Sequence, residues 1–392
     1  MSEEGSGAVD KAKGLAKEAA GAATGNEERK AEGRRERRGE MALEKYTTSV
    51  VGAFSVPRWY EALEKQVEAG ELSNADMEDA QYRATQAAIA DYEAAGVDVI
   101  NGGEMHRRTN NRHAPPNAML NHFWAKIPGF SDETRPTPIT PKDENVTHPG
   151  QVLTGKVEYA DLGLVDEFHM VSRFAHKPVK VTMTGPHMLA KVAHDEYYGD
   201  IKPFMQDLAE VINRNFRDLQ EAGCRHVQID EPLFAAAERD EVEAAVEAIN
   251  QAFEGIDGMF KWVHICQGNY SVDEDFDAGD QIGHRYFDFG EYPADIIARI
   301  QCDALMVEYD FADGYKDVLR NQQLAIGAAD VQDRQIETPE QIIERVEAQS
   351  WLSPEQTLLT TSCGLNHLSR EGAFGKLKAI ADAEQMLRGN GR

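Results

Sequence analysis

The chain has 392 residues, 41% of them hydrophobic, enough for one large α/β domain or two smaller ones. Its formal net charge of -27 excludes nucleic acid and anionic membrane as partners, since both demand a basic surface. No stretch approaches the roughly 20 apolar residues of a membrane span, no signal-peptide core opens the chain, and the four cysteines (Cys224, Cys266, Cys302, Cys363) are widely spaced, so a cytoplasmic protein with reduced thiols is expected.

Residues 1–40 are rich in Ala, Gly, Lys, Glu and Arg, carry nine basic and nine acidic side chains, and contain too few large apolar residues to fold alone. The run Val9-Asp10-Lys11-Ala12-Lys13-Gly14-Leu15-Ala16-Lys17-Glu18-Ala19-Ala20-Gly21, followed by Thr24-Gly25-Asn26-Glu27, resembles the CsbD-like family of small bacterial stress proteins. The expected organisation is a solvated extension, 1–40, ahead of a folded domain, 41–392.

From Tyr46 onward, short apolar or β-branched runs at 46–56, 97–103, 179–185, 226–230, 260–266, 304–309, 323–329 and 357–363 alternate with amphipathic stretches. In the stretch from Ile201 to Gly223, Phe204, Leu208, Val211, Ile212, Phe216 and Leu219 recur at helical spacing, with Gly223 as the stop. Glu238 to Phe253, Pro293 to Ile300, Pro339 to Ala348 and Gly372 to Leu387 read the same way. Eight strands with intervening helices predict a (β/α)8 barrel with its chemistry at the C-terminal ends of the strands. A doubly wound sheet lacks its Gly-x-Gly-x-x-Gly turn. The weakly patterned segment 105–175 predicts a loop excursion over the barrel mouth, with a hairpin around 151–158 and a helix near 164–174.

The strand ends are rich in reactive side chains. The second ends in Asn101-Gly102-Gly103-Glu104, the third in Thr184-Gly185-Pro186-His187, and the fourth in Gln228-Ile229-Asp230-Glu231-Pro232. The fifth ends in His264-Ile265-Cys266, the sixth in Val307-Glu308-Tyr309-Asp310, the seventh in Asp330, and the eighth in Ser362-Cys363-Gly364. Residues i and i+2 of a strand share a face, so His264 and Cys266 can offer an imidazole and a thiolate to one ion. With Glu308 and Cys363 they compose a tetrahedral zinc site of mixed donors. Cys224 and Cys302 precede strands and are expected as buried fillers at the opposite face.

The ordered set His264-x-Cys266, Glu308 and Cys363-Gly364, with Gln228-Ile229-Asp230-Glu231-Pro232 upstream, resembles the catalytic half of the cobalamin-independent methionine synthase family, whose superfamily also contains epoxyalkane:coenzyme M transferases. The resemblance spans about residues 45 to 390. It implies Zn2+ held by His264, Cys266, Glu308 and Cys363, with Glu104 and Asp230 gripping the amino group of homocysteine. The implied reaction is transfer of a methyl group from a 5-methyltetrahydrofolate-type donor to the homocysteine thiol.

Four departures bear on the donor. Where the family reads Ile-Gly-Ser-Phe-Pro, this chain has Val51-Gly52-Ala53-Phe54-Ser55, so Ser55 is the nearby candidate for the substrate contact that Ala53 cannot make. Where the family has Asp-x-His-Ser, with the histidine a candidate acid, this chain has Asp330-Val331-Gln332-Asp333, leaving Asp330 as the catalytic candidate. The additional N-terminal barrel of the long bacterial enzymes is lacking, and an insertion including Asp273 to Asp288 follows the His-x-Cys. Two alternatives stand beside methionine synthesis: alkyl transfer from an epoxide or methylcorrinoid to homocysteine or coenzyme M, and a structural-zinc, stress-associated binding protein. His106, Arg107, Arg108 and Arg112 offer an anion site or a charged loop. His187, His194, Tyr197 and Tyr198 are further candidates for the pocket, and Trp124, among the packing tryptophans, for stacking on a pterin.

Overall fold

Parallel strands follow one another around the structure in sequence order, each returning through a helix on the outside. The computed structural model describes residues 42–107, 118–138, 147–267 and 292–389; the 1–40 extension, Arg108, Arg112 and the insertion from Asp273 to Asp288 lie outside the described residues. Strands three to eight of the barrel are Lys180–Thr184, His226–Asp230, Phe260–Ile265, Ala304–Glu308, Gln323–Ala329 and Thr357–Thr361, paired in that order. Segments 46–50 and 97–101 supply the first two staves. Parallel bridges Thr48–Leu359, Ser49–Val99 and Ile100–Val179 close the circle. The Ser49 amide donates to the Leu359 carbonyl at 3.0 Å and the Lys180 amide to the Ile100 carbonyl at 2.8 Å, so the (β/α)8 barrel is complete.

Alternation along each strand sorts the side chains into two layers. Val181, Val227, Ile229, Val263, Ile265, Leu305, Val307, Leu324 and Ile326 face the helices and join the main core. Trp262, Ala304, Met306, Ala325 and Leu358 fill the barrel itself. Within that interior Lys180 is buried, donating to Ser49 Oγ at 2.9 Å and lying 4.8 Å from the Trp262 ring centroid. Because Trp262 and His264 are two apart, the parity that packs Trp262 inside raises His264 to the rim.

The helices form where their ends are signalled. Asp200 caps Ile201–Glu221 by accepting from the Lys202 amide, and Gly223 follows in the left-handed region with φ of 91°. Its six periodic apolar residues are all buried, each contributing about 1.5–3 kcal/mol. Thr338 and Gln341 form a capping box on Pro339–Ala348. The remaining expected helices are Arg239–Ala252, Ala294–Ile297 and Arg370–Gly389.

The excursion after the second strand differs from expectation in one element. Thr147–Leu153 pairs antiparallel with Phe130–Pro138, so the hairpin begins some twenty residues before 151–158. The strand Phe130–Pro138 is largely exposed and polar, and therefore carries none of the apolar alternation that marks a half-buried strand. The helix Leu164–Ser172 lies where expected. Among the described residues no helix is long and apolar enough to cross a membrane.

Candidate functional site

At the C-terminal rim, His264, Cys266 and Cys363 bring three ligand atoms within 4.8 Å of one another, and the two sulfurs lie 3.3 Å apart. All three side chains are buried, Cys363 at 9% exposure. His264 Nδ1 lies 3.0 Å from Asp230 Oδ1, and Nε2 lies 3.3 Å from the Ser362 carbonyl. A carboxylate and a carbonyl both only accept, so each ring nitrogen faces an acceptor, and Nε2, with the longer and uncharged contact, is the nitrogen that could turn to a metal. Burial opposes a charge on His264, but Asp230 and the Cys363 sulfur outweigh it and raise the pKa. The Cys266 hydrogen bond lowers that of Cys363. Two sulfurs and an imidazole in a buried cluster suit a borderline-soft cation, so the donor chemistry fits a metal.

Glu308 stands beside this trio but outside its 4.8 Å radius. It is 8% exposed, and the Gln267 amide, next along from Cys266, donates to its carboxylate. Burial, reinforced by the Cys363 sulfur, pushes its pKa up to about 8. A cation at this corner would lower the pKa of Glu308, against the effect of burial, and would lower those of the thiols as well.

Across the mouth, a second corner is built from charge. Gly103 and Glu104 both adopt positive φ, 68° and 58°, a conformation that costs Glu104 free energy and aims its carboxylate inward. A Cβ on Gly52 would sit 2.4 Å from Glu104 Oε1, so glycine there makes room for the carboxylate. Thr182 Oγ1 donates to Glu104 Oε1 at 2.6 Å, and Arg107 Nη1 approaches it at 3.5 Å. Burial raises the Glu104 pKa despite Arg107, and the Asp230 charge adds to the rise. Asp230 also accepts from Gln228 Nε2 at 2.7 Å, and it touches His264 while its charge is felt at Glu104.

Several expected sites are differently employed. Ser55, the expected substrate contact, is buried and donates its one hydroxyl proton to the Leu368 carbonyl at 2.8 Å. Asp330 sits on the rim at the end of the seventh strand, where Oδ1 accepts from the Gln332 amide and its own amide donates to Glu337. Trp124 is a packing residue: it is 1% exposed, stacks on Phe130 and donates to the Leu189 carbonyl. His187 is fully buried against Glu241 at 2.7 Å, and Tyr198 donates to Asp207 and stacks on Phe204. His194 is half-buried beside Arg135, and Tyr197 is exposed. Arg107 faces Glu167 and is no free anion receptor. Cys224 and Cys302 are buried as expected. The roles of Gly52, Thr182 and Glu167 escaped sequence reasoning because each depends on a neighbour distant in the chain.

Residues 46–386 match the family model described as the catalytic domain of cobalamin-independent synthase. The methionine synthase of Pyrococcus abyssi is 33% identical over 352 residues, covering 89% of this chain and 94% of that protein. The methionine synthase of Saccharolobus solfataricus is 29% identical over 343 residues, covering 87% and 94%. In fold, the chain is similar to a B12-independent methionine synthase from Shewanella sp. W3-18-1 in complex with selenomethionine, with a TM-score of 0.71, 20% identity, and coverage of 88% of this chain and 98% of that one.

Proposed function

The chain belongs to the cobalamin-independent methionine synthase family, and from that membership we propose that it is a zinc-dependent methyltransferase converting homocysteine to methionine, with a 5-methyltetrahydrofolate-type donor. The observation that carries the reading is the meeting of His264, Cys266 and Cys363 on the rim, with Glu308 beside them and two carboxylates, Glu104 and Asp230, opposite. The selenomethionine held by the Shewanella relative is in keeping with an amino-acid thioether as product. A cytoplasmic location suits such a metabolic enzyme.

His264, Cys266, Cys363 and Glu308 are the residues that would hold zinc. Bound there, zinc would deprotonate an alkyl thiol, whose pKa of roughly 8.5 otherwise keeps it mostly protonated at neutral pH. Glu104 and Asp230 bind the substrate ammonium and so aim its sulfur across the mouth. In the reaction a sulfur–carbon bond forms, the methyl carbon–nitrogen bond breaks, and the electron pair stays on the donor nitrogen, which takes up a proton. Asp330, on the rim next to the Glu308 corner, is this chain's candidate to guide that proton from water to the nitrogen, since Gln332 is neither an acid nor a base. Coenzyme M fits less well, because a sulfonate thiol has no ammonium for the two carboxylates.

Calorimetric titration of the zinc-loaded full-length protein with homocysteine and with coenzyme M, with proton release followed in buffers of different ionisation enthalpy, tests the reading. Homocysteine is expected to bind with release of a proton. Absence of both binding and proton release for either thiol defeats it.

A further inference from the structure

Arg107 is 3% exposed, and its guanidinium is fully engaged. Nε and Nη2 contact both oxygens of Glu167 at 2.7 to 3.2 Å, and Nη2 also donates to the Thr182 carbonyl at 2.6 Å. That leaves Nη1 directed at Glu104 Oε1. Glu167, itself 3% exposed, lies in the first turn of the helix Leu164–Ser172, and His106 Nε2 is 3.0 Å from its second oxygen. A two-pronged Arg–carboxylate pair between two nearly dry side chains is rigid, because neither partner has water to turn toward.

Charge at this corner is unbalanced. Arg107 makes its two-pronged bond to Glu167 and reaches Glu104 through Nη1 alone, at 3.5 Å, while the Lys180 ammonium, lower in the barrel, is turned to Ser49 Oγ and the Val50 carbonyl. Two oriented but incompletely matched carboxylates, Glu104 and Asp230, therefore face the mouth. An ammonium group supplies what they lack.

We propose that Arg107, clamped by Glu167, is a positioning residue that fixes Glu104 for the substrate ammonium and thereby makes the site selective for an amino-acid thiol over the same thiol without its amino group. The inference rests on the thiol-binding reading above. Arg107 acts through Glu104 and touches neither the thiol nor the donor. Clamping keeps the guanidinium from swinging fully onto Glu104, where it would compete with the substrate.

The test compares the affinity of zinc-loaded protein for homocysteine and for 4-mercaptobutyrate, its analogue lacking the amino group, by calorimetry. Arg107→Lys keeps the charge but cannot make the two-pronged bond. Glu167→Gln keeps the shape of the clamp but releases Arg107 toward Glu104, and it decides the matter where Arg107→Lys fails to fold. Either folded variant is expected to bind homocysteine about tenfold more weakly, with 4-mercaptobutyrate affinity within about twofold of wild type and zinc content unchanged. Unaltered homocysteine affinity, or equal weakening of both thiols, overturns the positioning role. Wild-type protein that binds neither thiol instead defeats the thiol-transferase reading on which the role depends.

Discussion

Two corners of one barrel mouth are organised on opposite principles. The corner of His264, Cys266 and Cys363 gathers soft donors whose mutual contacts are few, chiefly the sulfur pair and the bond from His264 to Asp230. The corner of Glu104 is assembled in advance by Arg107, Glu167, Thr182 and the space over Gly52. A cluster of donors relies on an ion for its cohesion, whereas an ammonium site must be rigid beforehand, since one hydrogen-bonded cation cannot meet the cost of reorganising buried charges. Asp230 belongs to both, so under the proposed function it couples the grip on the substrate to the posture of His264.

The largest expected effect breaks the first corner alone. Cys363→Ser should sharply lower zinc content and activity together, activity by about a thousandfold, while the fold, read by circular dichroism, persists; full zinc content measured by atomic absorption would remove Cys363 from the ligand set. Two substitutions at the shared residue sharpen the contrast. Asp230→Asn keeps an acceptor for His264 Nδ1 but loses the charge, so zinc should be retained while homocysteine binds about tenfold more weakly. Asp230→Ala should lose both, with zinc affinity down about 10- to 100-fold in a chelator competition. Equal zinc affinity in all three proteins would detach Asp230 from the metal corner.

The smallest effect concerns the cation beneath the second corner. Burial pushes Lys180 down to about 7, below its ordinary 10.5, although Asp230 and Glu104 pull the other way. Between those values the unfolded chain holds a proton that the folded chain has released, so native stability rises with pH across this window; the penalty is complete below about pH 7. Lys180→Met removes the penalty. Its advantage in melting temperature over wild type should shrink by a few degrees between pH 7 and 9, and a pH-independent difference in calorimetric scans would refute the buried-cation account.

The barrel was legible because its evidence is local. Strand and helix periods, the cap at Asp200 and the stop at Gly223 are short-range properties, and eight alternating runs admit few topologies. The meeting of His264, Cys266 and Cys363 was legible too, because strand parity places His264 and Cys266 on one face and strand order brings Cys363 to the same rim. The partner of Ser55 was not legible: proximity in sequence to the family's serine position says nothing of the Leu368 carbonyl, 313 residues away, that takes its proton. Trp124 is the packing residue that the sequence favoured over a pterin-stacking one, and its partners, Phe130 and the helix Pro186–Val192, came only from the tertiary structure.

Sequence alone determined the layered barrel, the donor types and the end of the barrel at which they gather, because these follow from periodicity and from the one-way connectivity of parallel strands. Only the tertiary structure decided that Arg107 is a buried clamp partner and no surface charge, that Glu104 is bent inward over a glycine, and that Asp230 spans two corners. Those are facts of distance between residues far apart in the chain, set by packing and by the cost of leaving a buried charge unmatched.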